Sequence, residues 1–334
     1  MVAHPHSEPR SYPLMLRTWD YAWWKPLVGF LLLLVGGFIA VPVVLIPVLG
    51  VAVALEGGSG TFEEQFREAL TLDSVTPASM LYLNLSLAAL TLVTMGIVRW
   101  VHRLRPRWLS SVMPGMRWRF FFACLGLSVV ALVASVLIGL LLPQDPNALG
   151  GEPNKLTGTL VATGIVILLT TPLQALGEEY AFRGYLMQAF GSFTHGIAEA
   201  SGASARVARG IAIGIALTLT SGLFALAHGT QNFPLFFDRF AFGLMAGLVV
   251  VLVGGLEAGI ALHILNNLVA FGIAIAFGDL QGALTVSEVS WWQLPVTVVQ
   301  NGIYLVLVLL VARRMGLRNT TSPPLAGAAP QQVG

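Results

Sequence analysis

Residues 157–186 read TGTLVATGIVILLTTPLQALGEEYAFRGYL. No ionisable side chain appears before Glu178, and that apolar run is long enough to cross a bilayer core, which takes about 20 residues of helix. Two carboxylates and a guanidinium then arrive together, at Glu178, Glu179 and Arg183. Ionisable groups at membrane depth cost about 2.5–3.5 kcal/mol each on insertion scales, so a chain keeps them where they are paired, face a cavity, or are in use. This stretch therefore decides two things: the chain is read as membrane-spanning, and its chemistry is sought where the oil is interrupted.

The composition agrees. Of 334 residues, 56% are hydrophobic and 10% charged, against about 25% charged in a soluble domain. The fold class expected is an all-α polytopic membrane protein. A ruler of about 20 residues gives eight spans, at 26–54, 78–98, 119–142, 157–186, 207–227, 235–255, 256–277 and 292–312. The fourth is overlong, and the sixth and seventh touch through GGLEAG, 254–259. The chain divides into a tail at 1–25, the first three spans with their loops at 26–156, a core of five spans at 157–318, and a disordered polar tail at 319–334. The first 25 residues lack the short apolar region and cleavage site of a secretory signal. Trp19, Tyr21, Trp23 and Trp24 beside Lys25 suit the headgroup zone instead.

Charge sets the sidedness. Arginine and lysine collect in cytoplasmic loops. With the N-terminus inside, the inner segments hold Arg99, Arg103, Arg105, Arg107, Arg117, Arg119, Arg206, Arg209, Arg313, Arg314 and Arg318. The outer loops keep Arg67, Lys155 and Arg239 against many acids, among them Glu56, Glu63, Asp145, Glu152, Asp238, Asp279 and Glu288. Both termini are expected to be cytoplasmic, in the plasma membrane. A net charge of +2 spread in this way implies no nucleic acid partner. The single cysteine, Cys124, rules out an internal disulfide and a cysteine metal cluster. The outer loop at 55–77 carries an amphipathic pattern at Phe62, Phe66 and Leu70. The spacings Gly210/Gly214, Gly243/Gly247 and Gly255/Gly259 read as helix-packing contacts.

On a helix turning about 100° per residue, Glu179 and Arg183 lie about 40° apart and can pair. Glu178 points about 100° away, on the face of Gln174 and Phe182. One carboxylate is thus held ionised while the other is free to act as a general base; a structural ion pair at a helix end is the alternative. His228 follows Phe224 by one turn at the end of the fifth span, where an interfacial histidine is the plainer reading. His263 and Asn267 share one face of the seventh span, with Asn266 to one side, and hydrogen bonding to a neighbouring helix would explain them equally. Together the three sites supply a base, two imidazoles and an amide donor, the groups that peptide hydrolysis requires.

The ordered set EEYAFR (178–183), FALAH (224–228) and HILNN (263–267) resembles the motifs of the CPBP family, which comprises type II CAAX prenyl endopeptidases and bacteriocin-processing or self-immunity proteins. The resemblance covers about 157–277. It implies an intramembrane endopeptidase, a hydrolase with a conical central cavity open towards the cytoplasm, acting on a membrane-bound or prenylated peptide near its C-terminus. It assigns Glu178 to water activation with help from His228, His263 and Asn267 to the oxyanion, and Glu179 and Arg183 to support. Zinc is left open as a cofactor: Glu178, His228 and His263 form an acceptable ligand set, but the compact H-E-x-x-H signature is missing. A non-catalytic adaptor or immunity protein using the same polar cavity is the alternative, and a proton-coupled transporter is a third. Ser221 before Gly222 lacks the leading glycine of a rhomboid-type serine site, and Ala276 stands where an aspartyl G-x-G-D motif needs glycine before Asp279.

Overall fold

The computed structural model describes residues 5–143 and 153–322. Asp145, Glu152 and the part of the expected C-terminal tail from 323 onwards lie outside the described residues. Eight helices are long and apolar enough to cross a membrane: α1 Trp24–Glu56, α2 Pro77–Trp100, α3 Trp118–Leu141, α4 Gly158–Ala200, α5 Ala205–Leu226, α6 Phe233–Val253, α7 Glu257–Phe277 and α8 Gln293–Arg314. Among the described residues there is no strand beyond two isolated bridges, Ser11 with Thr320 and Ser111 with Gly255. The all-helical membrane bundle inferred from composition is the fold observed.

Local chemistry explains where the helices start. Thr157, Ser204 and Asn232 accept backbone N–H bonds at the first turns of α4, α5 and α6, satisfying donors that have no partner inside the helix. The outer amphipathic stretch is a helix, Phe62–Thr71, opened by a reciprocal capping box between Thr61 and Glu64. The doubtful junction between α6 and α7 is resolved at Gly254. Its φ of 73° ends α6 in the left-handed region, and a Cβ there would stand 2.7 Å from the Arg318 carbonyl oxygen. The turn is then pinned to the 101–117 segment by Val112 N–H to Gly254 O at 2.8 Å and Leu256 N–H to Ser110 O at 3.0 Å.

The fourth helix is overlong for a reason. It is α-helical through Glu179, turns π-helical over Tyr180–Leu186, and resumes as Met187–Ala200. Single π turns inside helices are frequent at functional sites, and this one begins immediately after the two carboxylates. Gly177, one residue before them, allows α2 to approach: a Cβ would sit 2.0 Å from Leu87 O. Of the three glycine pairs, Gly243 packs on Ser221 and Gly247 between Leu217 and Met187, and Gly255 and Gly259 lie under Arg117 and Glu179. Gly210 and Gly214 face open space, so that spacing is not a helix contact.

The N-terminal segment does more than lie at an interface. Trp19, Trp23 and Trp24 are exposed, as headgroup anchors should be, but Tyr12, Met15 and Leu16 are buried. The Tyr12 hydroxyl donates to Leu109 O. Arg10 and Thr321 exchange backbone and side-chain bonds at 2.9 Å, so the two terminal segments close together over the arginine-rich end of the bundle.

Candidate active site

The three motifs, distant in sequence, converge. Glu179 is fully buried and takes both arms of the Arg183 guanidinium, with Nε to Oε2 at 2.8 Å and Nη2 to Oε1. This is the pairing expected from the four-residue spacing, preserved through the start of the π turn. Oε1 of Glu179 also lies 2.8 Å from His263 Nδ1. A carboxylate held ionised by a guanidinium only accepts, so Nδ1 carries the proton and donates. The other ring nitrogen, Nε2, stands 3.3 Å from Glu178 Oε2. The two acids, which helical geometry sends in different directions, thus straddle one imidazole.

Glu178 is 8% exposed and meets no guanidinium; its Oε2 is buried without a hydrogen-bond partner. Asn267 Nδ2 donates to Gln174 Oε1 at 3.0 Å, which ties the seventh helix to the fourth one turn from Glu178. His228 Nδ1 donates to Phe224 O at 2.7 Å. A carbonyl only accepts, so the tautomer is fixed and Nε2 keeps its lone pair. Asn266 turns aside to α8, accepting from Gln300 at 2.8 Å.

Phe224 gives the F-x-x-x-H spacing its meaning. Its ring centroid is 4.7 Å from His228, 5.7 Å from His263, 5.5 Å from Phe182 and 5.7 Å from Phe242. The Arg183 guanidinium carbon stands 4.1 Å over the same ring. This stacking supports the face of a cation whose Nη1 has no hydrogen-bond partner. One aromatic ring therefore spaces both imidazoles and covers the ion pair behind them.

Of the zinc set named above, Glu178 and His263 meet at 3.3 Å. Nδ1 of His263 is committed to Glu179, and among the described residues no three His, Cys, Asp or Glu side chains are arranged to hold a metal ion. The alternative nucleophiles have structural duties: Ser221 Oγ donates to Leu217 O at 2.7 Å inside its own helix. Asp279 caps the short helix Leu280–Leu284, accepting from Gln281 and Gly282 N–H.

Two cavities lie away from the cluster. One cavity, about 540 Å³, lies among Arg107, Val112, Arg117 and Arg318; another, about 240 Å³, lies near Glu56, Gln65 and Thr159. Neither touches the motif residues. On the arginine-rich side the cluster is covered by Ser110, Tyr180, Tyr185 and Leu256, all buried, with Ser110 and Tyr180 joined at 2.7 Å. Exposure rises the other way, through half-buried Asn267 to exposed His228.

Two residues near that exposed side escaped the sequence reading. Arg239, counted above with the outer loops, sits on the second turn of α6 and donates to Gln231 Oε1 at 2.9 Å. Gln231 Nε2 in turn donates to Ala225 O at 2.6 Å. The available signal was the cation itself, in FFDRFAFGL, a charge within an apolar run. Asp238, also counted with the loops, bonds α8 through Thr297 and Gln293.

Residues 160–269 match a family model described as "Type II CAAX prenyl endopeptidase Rce1-like". No curated protein and no solved structure matched the chain. The matched third of the sequence runs from the first turn of α4 into α7 and includes Glu178, Glu179, Arg183, His228, His263 and Asn267, so the family's segment and the converging cluster are the same piece of the molecule. Over that segment the chain is similar to the type II CAAX prenyl endopeptidase Rce1-like family, a family of proteases, here carried on a bundle of eight candidate membrane-spanning helices.

Proposed function

We propose that this protein is an intramembrane endopeptidase that hydrolyses a peptide bond near the C-terminus of a lipid-modified or membrane-embedded peptide, using a water activated by Glu178. The observation that carries this reading is the contrast within one dipeptide: Glu179 saturated by Arg183 and His263, Glu178 with a buried oxygen left over.

Glu178 and His228 Nε2 both accept, so a water between them gives one hydrogen to each and turns a lone pair towards a substrate carbonyl. As the water attacks, its proton passes to Glu178 and the carbonyl oxygen becomes an oxyanion. The Asn267 amide, which has a second N–H beyond the one given to Gln174, donates to that oxygen. The proton that Glu178 takes from water passes on to His263 Nε2, which stands 3.3 Å from Oε2. Glu179 fixes the ring that receives it, and Nε2–H delivers it to the leaving amine. Arg183 and Glu179 position this apparatus without touching the substrate. No step requires a metal.

Glu178→Gln keeps the shape of the side chain and removes the base. In proteoliposomes with a fluorogenic membrane peptide, the wild type should cleave and this variant should not, with both inserted and thermally stable. Full activity in the variant overturns the base assignment. The arginine distribution supports cytoplasmic termini, which a reporter fused after Arg318 tests directly.

A further inference from the structure

Arg239 is a cation inside a candidate span, and among the described residues no carboxylate lies within ion-pair distance of it. Its neighbour Asp238 spends its carboxylate on Thr297 and Gln293 of α8. A guanidinium has five N–H donors in a planar fork. Here it makes one side-chain bond, to the neutral Gln231, and is half-buried. Gln231, three residues after His228, is itself held by the end of α5 through the Ala225 carbonyl. The fork is therefore fixed beside the exposed edge of the cluster, with its pairing capacity unspent.

Such a fork matches the two oxygens of a carboxylate. We infer that Arg239 is the specificity-determining residue that receives the free terminal carboxylate of the peptide substrate beside His228. The inference rests on the proteolytic reading and deepens it. With the terminus anchored at Arg239, the chain runs back past His228 towards Glu178, and the scissile bond falls a few residues from the end. The same fork would also take the phosphate of an anionic lipid, so a test has to separate the two sources.

The measurement uses the full-length Glu178→Gln protein in phosphatidylcholine nanodiscs, where a hydrophobic peptide is bound but not cut. Its affinity is compared for the free acid and the C-terminal amide. The acid should bind about tenfold more tightly, since a charge-assisted bidentate bond is lost in the amide. Arg239→Gln added to this background should erase the preference, and Arg239→Lys should restore part of it, with unfolding temperatures confirming that each variant is folded. Equal affinity for acid and amide, binding of neither, or a preference that survives Arg239→Gln overturns the inference. So does a peptide-independent result in which phosphatidylglycerol is retained by the protein and lost with Arg239→Gln, which would assign the fork to lipid phosphate. Hydrolysis by the wild type is measured in parallel. A retained acid preference without any hydrolysis sinks the protease reading and leaves the carboxylate site standing.

Discussion

Two buried ion pairs lie on neighbouring parts of this bundle, and they look alike until their bonds are counted. At the arginine-rich end, Glu257 takes the backbone N–H of Arg117 at 2.9 Å, its Nε at 2.8 Å and its Nη2 at 2.6 Å, while Nη1 goes to Val253 O at 2.8 Å. Every arm of that guanidinium is used, and the pair bolts the start of α3 to the start of α7. In the core, Glu179 and Arg183 are both fully buried, more deeply than Arg117, but Arg183 Nη1 and Glu178 Oε2 are left without hydrogen bonds, and one imidazole stands between the two acids. A buried ion pair is thus no mark of a site by itself. Unspent valence beside it is, because low-dielectric surroundings make each unsatisfied polar group costly unless it has a task.

The sharpest way to break this comparison is to neutralise one charged side chain from each region. Glu178→Gln should lower the turnover of folded protein by about 10²–10⁴-fold, the usual contribution of a general base, with little change in unfolding temperature. Asn267→Ala should follow, at about 10²–10³-fold in kcat, the loss typical of one oxyanion donor; an unchanged kcat with a raised KM would reduce Asn267 to a binding contact. Arg117→Met should do the reverse. Removing one partner of a buried pair costs about 3–5 kcal/mol of stability, so thermal unfolding should shift strongly down. The turnover of the molecules that remain folded should stay within about twofold; a collapse of turnover at full stability would erase the distinction drawn here.

How much of this was legible in the residues can be followed element by element. Eight spans and their order were readable, because a hydrocarbon solvent enforces long apolar runs with few other solutions. The Glu179–Arg183 pair was readable too, since i,i+4 geometry is local. What His263 would touch was not. Its two nitrogens meet two residues 84 and 85 positions earlier, and nothing in HILNN specifies which helix it faces. Arg239 was misassigned because charge was read as a loop signal, a rule that fails where a cation is held at depth by a neighbour such as Gln231. The packed N-terminal segment was hidden for a similar reason. Prolines and mixed charge resemble a solvated tail, yet Tyr12, Met15 and Leu16 fill a space that only the assembled helices create.

The smallest expected effect discriminates between chemistries. Ser221 lies on α5 one turn before Ala225, fully buried, and its neighbours on α6 come close enough that a Cβ on Gly243 would meet its Cα at 3.1 Å. A nucleophilic serine needs a base within hydrogen-bond reach and room for a carbonyl above its oxygen. Ser221 has its hydroxyl bonded to Leu217 O, the back-bonding that serine adopts within helices. Ser221→Ala removes one intrahelical bond and exposes no unpaired group, so stability should change by about 0.5 kcal/mol or less and turnover should be unchanged. Activity in this variant, set beside its loss in Glu178→Gln, would separate a water-activating carboxylate from an acyl-enzyme on the same helix bundle. Inactivity of Ser221→Ala at full stability would reverse that assignment, and would make the free carboxylate of Glu178 a second structural acid like Glu257.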